Sequence, residues 1–159
     1  MRILLVGKTG VFDTLAVAYG YLRMDIQACP YLGDLGLENR KGLIKVGTDP
    51  QGTEIFIVGF NVPQIVCTIN HEIKSISNIK DEEQLLVFPL SIVGETFSWV
   101  IARLASIPLI GTMFIRWAKS RTLRRASYLT ELGRNLNIAN QLMKKDNEGF
   151  IYAAKPYKK

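Results

Sequence analysis

The sequence predicts an α/β domain: a small mixed sheet that includes a β-hairpin, flanked by helices on both faces, with a helix-rich C-terminal third. Three observations predict it. Residues 3–14, ILLVGKTGVFDT, run from four aliphatic residues through a glycine loop into the start of a helix, the usual opening unit of such a domain. Residues 42–60 hold two β-rich runs around a turn containing proline and glycine. Beyond residue 91 the apolar residues recur at helical spacing. A chain of 159 residues with 48% apolar content is enough for one compact core and too apolar for a disordered chain.

Each element follows in order. Ile3, Leu4, Leu5 and Val6 read as a buried strand, and Gly7-Lys8-Thr9-Gly10 as a tight loop. Asp13 or Thr14 is placed to cap a helix running to about Leu22, whose Ala16, Ala18 and Gly20 would let it lie close on a sheet. Residues 23–41 have no sustained period and read as a long connection with at most one helical turn. The runs 43–46 and 54–58 flank Thr48-Asp49-Pro50-Gln51-Gly52: proline sets φ, Asp49 can bond to backbone beyond it, and Gly52 tolerates positive φ. Asn61 should cap a helix with Pro63 in its first turn and Val62, Ile65, Val66, Ile69, Ile73 and Ile76 as its apolar stripe. Residues 84–88 read as another buried strand. Ser91 is expected to cap a helix to about residue 106 that is apolar on most sides and hence central. Pro108 opens a helix over 109–120, and a last amphipathic helix spans 127–145 with Leu129, Leu132, Leu136, Ala139 and Met143 on one face. The organisation is a single domain over 1–154 and a basic tail over 155–159.

Charge is distributed unevenly. Residues 1–99 hold 8 Lys/Arg and 11 Asp/Glu, about −3, whereas residues 100–159 hold 12 and 3, about +9. A one-sided basic surface suits an anionic partner. Cys29 and Cys67 have neither the number nor the spacing of a disulfide framework or zinc site, and read as reduced thiols of a cytoplasmic protein. No signal peptide is evident. The most apolar region, 85–117, contains Glu95 and Arg103, and its longest uncharged run, 104–115, falls short of the roughly 20 residues a spanning helix needs. It reads as core helices, with attachment to a membrane surface as the lesser alternative.

The glycine loop is the leading site candidate. Backbone N–H groups at a strand-to-helix turn, together with the helix N-terminus, favour a phosphate or carboxylate. Lys8 adds a formal charge and Thr9 a hydroxyl. The stretch is not a P-loop, because Arg2 stands where that pattern requires its first glycine. Ligand-binding residues are therefore expected among Gly7, Lys8, Thr9, Gly10 and Asp13, the last opposing an anion unless it is turned away. Glu95 and Arg103, about two helical turns apart, need partners in an apolar setting and are expected each to meet a loop or to frame a pocket. Arg116, Lys119, Arg121, Arg124 and Arg125, near Trp117, form the densest basic face. His71 falls off the isoleucine stripe without a partner at metal-ligand spacing and reads as solvent-exposed. The residues assign no catalytic group, no cofactor and no metal site.

The strand, glycines and small-residue helix from Gly7 to Ala18, the hairpin pattern of Gly42, Leu43, Ile44, Val46, Gly47, Asp49 and Gly52, and the helices from Gly94 to Leu136 carry a likeness. In them the chain resembles, as a divergent member, a small family of uncharacterised bacterial proteins, a domain of unknown function found mainly in spore-forming Gram-positives. The resemblance covers about residues 1–145 and implies fold and compartment but no reaction. The family pattern has a His-Ser-Ser run entering the first helix, where this chain has Val11, Phe12 and Asp13.

Two functional readings follow. The first is a cytoplasmic protein that binds a phosphate- or carboxylate-bearing small molecule at the strand–Gly-Lys-Thr-Gly–helix loop. The alternative is an interaction module whose basic C-terminal helical face meets nucleic acid or an anionic membrane. A closed pocket at Gly7–Gly10 would favour the first, and a flat basic surface with that loop packed shut the second, whose membrane form an exposed Trp117 beside the arginines would support.

Overall fold

A computed structural model of the chain describes residues 1–39, 42–63, 65–66, 68, 85–105, 107 and 111–146. Four strands, β1 (Arg2–Gly7), β2 (Ile44–Thr48), β3 (Glu54–Gly59) and β4 (Leu85–Pro89), form one mixed sheet in the order β2-β3-β1-β4. β1 is central and parallel to both neighbours, with Leu4 opposite Phe56 on one side and Val87 on the other. A parallel strand buried on both faces should read as an unbroken apolar run, and Ile3, Leu4, Leu5 and Val6 are all buried. Pro89 ends β4, where the lost N–H costs no ladder bond.

β2 and β3 form the expected hairpin, with an irregularity between Lys45 and Gly47 that leaves Val46 as the extra residue. Asp49 organises the turn: its carboxylate accepts from Gln51 N and Thr53 N, both at 2.8 Å, while Gly52 takes φ +79°.

α1 (Leu15–Tyr21) and α5 (Ala126–Asp146) pack together against one face of the sheet, where Ile3, Leu5, Ile55, Ile57, Leu129 and Leu136 share one core. Their backbones touch. A Cβ on Gly20 would stand 2.2 Å from Thr130 O, and one on Gly133 would stand 2.0 Å from Val17 O. Asn137 donates to Tyr21 O and Asn140 to the Tyr21 hydroxyl, each at 2.8 Å, while the buried Asn140 Oδ1 has no hydrogen-bond partner among the described residues. α1 is entered through a single wide π-turn, Gly10–Thr14, and neither Asp13 nor Thr14 makes the side-chain cap expected of it. The 23–41 connection holds, among its described residues, two short helical pieces where one helical turn is expected: a 3-10 turn, Ile26–Ala28, and α2 (Leu35–Asn39).

α3 (Glu95–Leu104) and α4 (Gly111–Arg124) pair beside the π-turn, where Val11, Phe12, Ile101, Ala102 and Ala118 make a second core cluster. Two expectations fail here. Ser91 is not the cap: Gly94, at φ +76°, starts the helix three residues later, because Glu95 N bonds back to Ile92 O. Nor is α3 central. Its buried residues are Glu95, Ser98, Ile101 and Ala102, and Phe97 and Val100 face solvent. Beyond Pro63, the expected helix over 63–78 falls mostly outside the described residues, as do His71, Cys67 and the basic tail. Among the described residues no helix is long and apolar enough to cross a membrane.

Candidate functional site

Three loops leave the C-terminal ends of β1, β3 and β4 together, the edge at which α/β sheets place ligands. The β1 loop is the glycine elbow. Its four successive amides, Lys8 to Val11, all donate to carboxylates of the chain itself. Lys8 N and Thr9 N reach Glu95 Oε1 at 2.5 and 3.3 Å. Gly10 N and Val11 N reach Glu38 Oε1 and Oε2 at 3.1 and 2.8 Å. The physics of an anion at a strand-to-helix turn is thus realised internally, with one carboxylate from α2 and one from the first turn of α3.

The glycines make room for these carboxylates. A Cβ on Gly7 would lie 2.0 Å from Thr14 Oγ1 and 2.5 Å from Glu95 Oε1. On Gly59 it would lie 2.7 Å from both Glu38 Oε1 and Gly10 N. Side chains at either position would push the glutamates out. The hydroxyls of Thr9 and Thr14 are buried and have no hydrogen-bond partner among the described residues.

Burial dominates the electrostatics. Glu95 is 2% exposed, and desolvation raises its carboxyl from 4.5 to about 7. The Lys8 and Thr9 amides and the Lys8 charge oppose that rise, and the Asp13 charge adds to it. Glu38 is also raised by burial, against the Val11 and Gly10 amides and the Arg103 charge.

Asp13 lies away from the elbow in a buried network of its own. Its carboxylate accepts from Ser98 Oγ of α3 (2.9 Å), Thr122 Oγ1 of α4 (3.0 Å) and Arg125 Nη1 (3.2 Å). Arg121 Nη2 donates to Gly94 O and Arg125 Nη2 to Val93 O. This network fastens the π-turn to the α3–α4 pair.

A cleft of about 270 Å³ opens beside the elbow, with Lys8, Glu38, Phe60, Asn61, Trp99 and Arg103 in its wall. A second depression, of about 410 Å³, lies across Lys8 and is bordered by Asn61, Ser91, Glu95 and Thr96. Lys8 Nζ donates to Thr96 Oγ1 at 2.6 Å between the two. The Arg103 guanidinium lies 5.3 Å from the centre of the Trp99 ring.

The structure therefore brings Gly7, Lys8, Thr9, Gly10 and Glu95 together, sets Arg103 on the neighbouring cleft, and takes Asp13 elsewhere. The basic cluster divides. Arg121 and Arg125 turn inward to the Asp13 network, and the Lys119 stem packs beside Gly33, while Arg116 and Arg124 are exposed. Trp117 is exposed as well. Sequence reasoning missed Glu38, Trp99 and the place of Asn61 in the wall. A carboxylate in an aperiodic connection carries no local signal. No family model, curated protein or solved structure matches the chain.

Proposed function

We propose that the protein binds a small molecule bearing a phosphate or carboxylate in the cleft beside the elbow. Its anionic group would be met by Lys8, Asn61 and Arg103, and its body would lie against Trp99 and Phe60. The observation that carries this reading is the junction of a polarised strand-to-helix elbow with a concave wall holding two cations, an amide and two aromatic rings, the Glu38 carboxylate there being turned to the Gly10 and Val11 amides. Glu38 and Glu95 already occupy the elbow amides, so side chains rather than backbone would recognise the ligand. At about 270 Å³ the cleft is near the lower end of ligand pockets, which suits a single small metabolite over a dinucleotide.

The test is a thermal-shift screen with inorganic phosphate, sugar phosphates, mononucleotides and organic acids, followed by calorimetry. A bound ligand raises the melting temperature by mass action. Lys8→Ala and Arg103→Ala should each weaken it about tenfold or more, as expected for loss of a hydrogen bond to a charged group. A screen in which no anion moves the melting temperature, or variants that both bind as tightly as the parent, rules the reading out.

A further inference from the structure

α3 is built inside out. Its first and fourth residues, Glu95 and Ser98, are polar and buried because they serve the elbow and Asp13. Other apolar residues face water: Phe97 is 43% exposed beneath the Arg121 guanidinium, Val100 follows it three residues on along the helix, and Val93 is exposed in the turn before the helix. On α4, Met113 (61% exposed) and Trp117 (49%) share a face with Ser120 and Arg124, at steps of four, three and four residues, and Arg116 borders it. The two faces are continuous, since the Phe97 and Trp117 rings meet edge-on with centroids 5.4 Å apart. Exposed contiguous apolar surface of this kind marks an interaction site.

We propose that the outer face of the α3–α4 pair docks on the surface of an anionic lipid bilayer, with Phe97, Met113 and Trp117 entering the headgroup region and Arg116 and Arg124 meeting lipid phosphates. Charge complementarity selects this occupant: both arginines are exposed and make no ion pair with a described residue. Methionine and tryptophan beside arginine on the α4 face, continued by Phe97 of α3, have the composition of an interfacial surface. The aliphatic share of the patch, Val93, Val100 and Met113, argues for lipid over nucleic acid, which would want polar or stacking groups there. This face is separate from the cleft, so either proposal can fail without the other.

The experiment is co-sedimentation of the full chain with phosphatidylglycerol and with phosphatidylcholine vesicles, alongside Trp117 fluorescence in a Trp99→Phe background. Binding to the anionic vesicles alone, a blue shift of Trp117 and release by added salt are expected. Arg116→Glu with Arg124→Glu should weaken binding at least twentyfold, about fivefold or more for each arginine lost. Phe97→Ala with Trp117→Ala should weaken it at least tenfold, and should the aromatic pair prove necessary for folding, the arginine variant decides, since its side chains are already in water. No binding to phosphatidylglycerol at low salt overturns the proposal. So does binding that the arginine variant leaves unchanged, a gel shift with nucleic acid in place of vesicle binding, or a dimer on gel filtration that Trp117→Ala dissolves.

Discussion

Glu95 gives the sharpest prediction, because its place in the elbow fixes the sign of a pH effect. In the unfolded chain its carboxyl titrates near 4.5, and in the folded protein near 7. A folded state that holds the proton more tightly gains stability as pH falls. The contribution is complete below the unfolded value and is lost as pH rises through the folded one. A difference of about 2.5 units corresponds to about 3 kcal/mol between pH 4.5 and pH 8. For a chain of this length that is roughly 6–12 °C in melting temperature. Urea unfolding at pH 5, 6, 7 and 8 reads it directly. Glu95→Gln keeps an oxygen for the Lys8 and Thr9 amides and removes the ionisation, so its pH slope should be shallower by most of that amount, with stability at pH 8 equal to or above the parent. Glu38 shifts in the same direction and supplies a remaining slope. A parental stability that is flat or rises from pH 5 to 8, or an unchanged slope in Glu95→Gln, refutes the reasoning.

Other outcomes follow from the packing. Asp13→Ala strands Arg125 and removes acceptors from Ser98 and Thr122, and should cost about 3–5 kcal/mol in chemical denaturation; a loss under about 1 kcal/mol would show that the network does not fasten the helices. Gly133→Ala should cost about 1–3 kcal/mol or more, because the added methyl meets backbone rather than a yielding side chain. Its effect should not add with that of Gly20→Ala, since both open the same α1–α5 contact, and simple additivity in a double-mutant cycle would contradict that. Asp49→Ala frees two turn amides and should cost about 1–2 kcal/mol, read as a lower urea midpoint at unchanged m-value; an unshifted midpoint would remove Asp49 from the turn's support.

Much of this fold is legible in local pattern. An unbroken aliphatic run announces a strand buried on both faces, and Ile3 to Val6 is one. Asp49-Pro50-Gln51-Gly52 announces its turn through chemistry that acts over four residues. The period of Leu129, Leu132 and Leu136 announces α5. Contacts between distant segments are what local pattern omits. Glu38 meets an elbow 27 and 28 positions away, and Glu95 one 86 and 87 positions away. α3 misleads for a specific reason. Hydrophobicity implies burial only when the fold chooses which face points in, and here two polar bonds choose it. The Ser91 cap misleads similarly, because the Gly94 backbone at positive φ sets the helix start without any side chain. The sequence singles out Glu95 as a buried charge that must meet a loop or a pocket, and it meets Lys8 N and Thr9 N, whereas Glu38 carries no such signal.

Glu95 and Glu38 hold the elbow amides, and the site has its shape for that reason. The most direct measurement is the pH titration of the Lys8, Thr9, Gly10 and Val11 backbone amide resonances by ¹⁵N–¹H correlation NMR, in the parent and in Glu95→Gln. Lys8 and Thr9 should shift together with a midpoint near 7, and Glu95→Gln should abolish this transition. Amides that stay unmoved between pH 5 and 8 and exchange rapidly with water, or that titrate alike in both proteins, would contradict it.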